Sequence, residues 1–161
     1  MNLSLVRTKV MYELARRDLI SFISLFEPNY HVGWFHQELC LKLQNFYRDV
    51  CDRKSPRLIL SVPPRHGKST IVSKHLPAWV FGHDPNLQII SCSYAASLAS
   101  KFTREVQRVI DTDLYRNIFP KTRLAQKGRD AYVRTSDQFE IVDAAGVYRS
   151  AGVGGGITGL G

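Results

Sequence analysis

The stretch LILSVPPRHGKST, Leu58 to Thr70, constrains the fold more than any other part of the chain. RLILSV (Arg57–Val62) is a short apolar run and reads as a buried strand. KSTIVSKHLPAWVFG, which follows, reads as a helix that Pro77 should kink or shorten. The junction resembles the phosphate-binding pattern G-x-x-x-x-G-K-[ST] in its second half, while Val62 occupies the place of the first glycine. Each residue type has a use there. Gly67 lets the backbone approach a phosphate without a Cβ in the way. The N–H groups from His66 to Thr70 would face an anion at a helix N-terminus. Lys68 would bridge β- and γ-phosphates as a mobile point charge, and the Ser69 hydroxyl would ligate Mg²⁺. Arg65 lies inside the loop, where a guanidinium can reach a γ-phosphate and stabilise charge developing in hydrolysis. The alternative is that Arg65 holds the loop to a neighbouring carboxylate. His66 reads as a hydrogen-bonding brace for the loop, and Pro63 and Pro64 stiffen its approach.

Helical spacing of Leu19, Phe22, Ile23 and Phe26 predicts one helix over residues 4–27, closed by Pro28. EPNYHVG is turn-like. A second helix is expected over Phe35–Cys51, with Leu39, Leu43, Phe46 and Val50 on one face and Glu38 and Lys42 as an i,i+4 pair. LQIISCS (Leu87–Ser93) reads as a strand. Tyr94–Ile110 reads as an amphipathic helix with Lys101, Arg104 and Arg108 on its polar face. Residues 111–134 read as irregular, and QFEIVD and GVYRSAGV as a pair of strands. Strand, loop, helix, strand, helix opens an α/β fold with a parallel sheet.

The 161 residues carry 22 basic and 14 acidic side chains, a formal charge of +8, which favours a polyanionic partner. Between Arg116 and Arg134 stand six basic residues and one acid, Asp130. Such a stretch suits sequence-independent contact with a nucleic-acid backbone, or is simply a solvated loop. The apolar run LISFISLF is too short to span a membrane, and the N-terminus lacks signal-peptide order. Cys40, Cys51 and Cys92 read as free thiols of a reducing cytoplasm.

SVPPRHGKS, PAWVFGHDPNLQIISCSYAASLASKFTREVQ and GVYRSAGVGGGITGLG together resemble the large terminase subunit of tailed bacteriophages, over about Phe26 to Gly161. That resemblance implies a P-loop NTPase of the RecA/ASCE-like kind, here an incomplete parallel sheet preceded by N-terminal helices. Residues 1–55 would be a helical segment with an adenine contact, and 56–161 the front part of the ATPase domain. The implied function is the ATP-driven motor that packages DNA into the capsid, with ATP and Mg²⁺ bound at Gln37, Arg65, His66, Gly67, Lys68, Ser69 and Thr70. Gln37, in FHQELC, matches the family's adenine-reading glutamine. An amide can both donate to and accept from the adenine edge. The alternative is an exposed polar residue at a helix start. Implied partners are double-stranded DNA without sequence preference, a small terminase subunit, a portal and further copies of the chain, all in the cytoplasm of a bacterial host.

Such an ATPase also needs an apolar strand ending in an aspartate for Mg²⁺, followed by a glutamate that activates water. FEIVDAA, ending near Asp143, is a poor match, because Glu140 interrupts the apolar run and Ala144 stands where the glutamate belongs. By resemblance the chain ends just before that strand, so weak ATP binding without significant hydrolysis is expected. Gly154, Gly156 and Gly159 satisfy G-x-G-x-x-G but lack the strand, helix and acid of a dinucleotide site. Two rival readings stay open: another P-loop ATPase of helicase-like type, and a non-enzymatic basic DNA-binding remnant.

Overall fold

The computed structural model describes residues 3–126 and 129–153. In chain order the elements are α1 (Leu3–Arg17), α2 (Leu19–Phe26), α3 (Trp34–Cys51), a π-helical turn (Thr70–His75), α4 (Leu76–His83), β1 (Gln88–Ser93), α5 (Ala96–Ile110), α6 (Asp113–Ile118), β2 (Gln138–Glu140) and β3 (Val147–Gly152). They divide into two compact units, Met1–Trp79 and Val80–Gly161. Among the described residues no helix is long and apolar enough to cross a membrane.

The first unit is helical. The single helix expected over 4–27 is two helices, because Asp18 takes an extended backbone (φ −135°, ψ 120°) and caps α2. Its Oδ2 accepts the Ser21 N–H at 2.9 Å, satisfying one of the donors a new helix leaves open. Gln44 of α3 bridges this break: its Oε1 accepts the Leu19 N–H at 3.0 Å and its Nε2 donates to Arg17 O at 3.2 Å. Ala15, Leu19, Phe22, Ile23, Leu39, Cys40, Leu43, Ile71, Ala78 and Trp79 form the core. Val50, expected on the inward face of α3, is exposed, and Cys40 is buried instead. The Glu38–Lys42 pair forms at 3.1 Å.

The segment expected to be a strand, Arg57–Val62, joins no β-ladder among the described residues, and Ile59 is 94% exposed. A strand requires a partner for its N–H and C=O groups, and apolar composition supplies only the propensity. Past the loop the helix runs through a π-helical turn, in which the Leu76 N–H bonds to Ile71 O. This wider turn falls immediately before Pro77, whose missing N–H interrupts regular α-helical bonding.

The second unit holds a three-stranded mixed sheet of order β1-β3-β2, rather than the all-parallel sheet expected. β1 and β3 run parallel, Gln88 opposite Val147 through Ser93 opposite Gly152. β2 and β3 are antiparallel, Gln138 opposite Arg149 and Glu140 opposite Val147. The Phe139 and Tyr148 rings, cross-strand neighbours, stack at 5.1 Å and 2°. α5 packs on β3 and β1, and its Ala99, Val106, Val109 and Ile110 are buried. Its close approach depends on Gly152, where a Cβ would lie 2.5 Å from Ala96 N. α6 interrupts the stretch expected to be irregular. Thr112 caps it by accepting the Tyr115 N–H at 3.1 Å, and Tyr115 and Ile118 are buried beneath it.

Candidate functional site

The loop of residues 63–69 is exposed apart from a half-buried Gly67, and leads into helix at Lys68. Two left-handed residues shape it, Arg65 at φ 65° and Gly67 at φ 73°. The His66 Nδ1 donates to Pro64 O at 2.8 Å, so this ring braces the loop across its own turn. The first N–H with a carbonyl partner in the new helix is that of Ile71, on Gly67 O at 3.0 Å. The N–H groups of residues 68–70 therefore open the helix, where such groups have no intrahelical acceptor and favour an anion. Arg65, His66, Lys68 and Ser69 are exposed, and Thr70 is half-buried where the π-helical turn begins. Gln37 lies exposed in the first turn of α3, whose start is closed by the Gly33 N–H donating to His36 Nδ1 at 3.0 Å.

A cluster that sequence reading missed fixes the helix behind the loop. Glu27, at the end of α2, accepts from Lys74 Nζ and from His75 Nε2, the latter at 3.2 Å. His75 is fully buried. Burial pushes its pKa down to about 4, with Lys74 adding to the fall, so the ring is neutral and carries its proton on Nε2. Burial would raise the Glu27 carboxyl, but the Lys74 and His75 bonds outweigh it and hold it below its usual range. Glu27 also opens a β-turn with Pro28 in its second position, closed by the Tyr30 N–H on Glu27 O at 2.9 Å. At the other end of this turn Tyr30 reaches the loop itself: a Cβ built on Gly67 would lie 1.9 Å from Tyr30 Oη.

The basic stretch is differently disposed. Arg116 donates to Asp113 and to Asp111 O, both at 2.9 Å. Arg123 forks onto Asp130 at 2.9 and 3.2 Å and lies 3.6 Å from Asp143. The Arg123 bond, followed by the Gln126 N–H, holds the Asp130 carboxyl below its usual range. Arg134 donates to Gln107 at 3.1 Å, to Ala125 O at 3.0 Å and to both carboxylate oxygens of Asp111. These arginines are internal ties. Lys121 is exposed, and Lys127 falls outside the described residues. By contrast Lys101, Arg104 and Arg108 all lie exposed along α5, with Glu105 3.9 Å from Lys101. Arg104 also lines an open cleft of about 690 Å³ with Gln107, Asp130, Tyr132 and Arg134.

Asp143 stands in an exposed turn between β2 and β3 at φ 60°, not at the end of a buried strand. The glycines of the G-x-G-x-x-G match lie outside the described residues. Cys40, Cys51 and Cys92 are free thiols, and burial pushes Cys40 up to about 12, which leaves it unreactive.

Residues 59–155, more than half of the chain, match the family model of the terminase large subunit, T4likevirus-type, N-terminal, and the chain belongs to that family. No curated protein and no solved structure matched it.

Proposed function

We propose that the chain is the nucleotide-binding front part of a phage DNA-packaging ATPase, a P-loop unit that holds the phosphates of ATP at residues 63–70. The observation that carries this reading is the loop: a left-handed Gly67 with no room for a Cβ, followed by Lys68 and Ser69 at an exposed helix start. Lys68 supplies charge to the β- and γ-phosphates, Arg65 the further charge at the γ-phosphate, and Gln37 the adenine contact. His66 keeps the loop closed through Pro64. Mg²⁺, when bound, neutralises phosphate oxygens. Ser69 offers it one hard oxygen, and no cluster of three metal-binding side chains occurs among the described residues, so the donor set fits this ion only together with the nucleotide.

By itself the chain is read as binding ATP without significant turnover, because Asp143 is not placed to organise a metal. Contact with double-stranded DNA is assigned to α5, whose Lys101, Arg104 and Arg108 follow one exposed face, ahead of the stretch 116–134, where Arg116, Arg123 and Arg134 are paired with carboxylates. Isothermal titration of the full chain with Mg·ATP tests the reading: binding is expected, and Lys68→Ala is expected to weaken it by up to about 100-fold. Turnover above background that disappears in Lys68→Ala would overturn the statement on hydrolysis. Failure of the unaltered chain to bind would overturn the nucleotide reading.

A further inference from the structure

Tyr30 lies between the loop and the start of α3. Its hydroxyl lies over Gly67 of the loop, and its ring meets that of His36 edge-on at 5.1 Å, beside Gln37. The hydroxyl oxygen is buried and has no hydrogen-bond partner among the described residues. A buried O–H without an acceptor is unfavourable, and native structures rarely keep one without a reason. This donor stands against the glycine at which an anion is expected.

We propose that Tyr30 is a ligand-contacting residue of the site: when the loop shifts at Gly67 to admit the triphosphate, the hydroxyl that it covers donates to a phosphate oxygen, exchanging an unpaired buried O–H for a charge-assisted bond. The inference rests on the nucleotide reading of the loop. Burial raises the phenol's pKa, so the group keeps the proton it must donate. The turn that carries it is held by the Glu27 bonds to Lys74 and His75, so the hydroxyl is presented from a fixed support. Contact at Gly67 also places Tyr30 on the phosphates rather than on the base.

Tyr30→Phe keeps the ring and removes only the hydroxyl. The test is calorimetric titration of the full chain, Tyr30→Phe and Lys68→Ala with Mg·ATP and with inorganic tripolyphosphate, together with ligand-free melting temperatures. Tyr30→Phe is expected to weaken both ligands about tenfold while its ligand-free melting temperature holds or rises, since an unpaired polar group has gone. Unchanged affinity in Tyr30→Phe, with binding strongly weakened in Lys68→Ala, overturns the inference and leaves the loop reading standing. Weaker binding accompanied by a lower ligand-free melting temperature marks a structural role and also overturns it. No binding by the unaltered chain overturns both. The contact itself is checked without ligand: Gly67→Ala should destabilise, and adding Tyr30→Phe should recover part of the stability, because the nearest remaining atom would stand at 3.0 Å instead of 1.9 Å. Absence of any recovery removes the geometry on which the inference stands.

Discussion

The loop at 63–70 and the stretch at 116–134 both bring cations together, and they hold them in opposite ways. In the loop, Arg65 and Lys68 stand exposed beside a helix start whose N–H groups add to their field. In the stretch, Arg116, Arg123 and Arg134 are bound to Asp113, Asp130 and Asp111, and to backbone carbonyls. An arginine whose guanidinium already forks onto a carboxylate of its own chain has fewer donors left to offer a phosphate. Cations are available for ligands where the surrounding acids are few and distant, which a count along the chain does not reveal.

Substitutions can break this contrast. The largest effect is expected at the loop. Lys68→Ala should weaken Mg·ATP by up to about 100-fold, on the scale of one bond between charged groups, and leave the melting temperature unchanged. Arg134→Ala should do the reverse, lowering the unfolding free energy by about 2 kcal/mol in urea with no change in the salt dependence of DNA binding. Titration of the His75 support is smaller and depends on pH. The native ring takes its proton near pH 4 and the unfolded ring near 6.5, so the unfolded chain binds more protons in between. Stability should fall as pH drops from about 6.5 towards 4, at no more than about 1.4 kcal/mol per pH unit. This acid limb should flatten in His75→Leu, measured by melting temperature against pH. The smallest effect on the fold is expected on α5. Replacing Lys101, Arg104 and Arg108 with Ala should change stability by under about 0.5 kcal/mol for each. The salt slope of DNA binding should nevertheless become shallower by about 0.9 for every phosphate no longer neutralised. An unchanged slope would return the DNA interface to other surfaces.

Elements governed by local rules were legible in the sequence. α3 and α5 follow their apolar period, and the pairing of β2 with β3 follows two short runs separated by a turn. The break between α1 and α2 was harder to see, because the apolar spacing continues across Asp18 and only its cap geometry divides the helix. α6 escaped because its short stretch has too few turns to show a period, although Thr112-Asp113 carries a start signal. Arg57–Val62 has the composition of a strand, but pairing is a property of neighbours. The turn at Gly67 and the helix that starts at Lys68 were legible because their residues are contiguous. Their support was not, since Glu27 meets Lys74 and His75 across 47 and 48 positions, a separation that periodicity cannot bridge.

Arg65 is a compromise between rigidity and charge. A left-handed backbone at a residue bearing a Cβ costs roughly 1 kcal/mol relative to glycine, and Arg65 sits there at φ 65°. Glycine at 65 would relax the turn and sharpen the fold, yet would leave the loop one guanidinium poorer. Selection for thermal robustness and selection for anion affinity would therefore draw this position towards different amino acids.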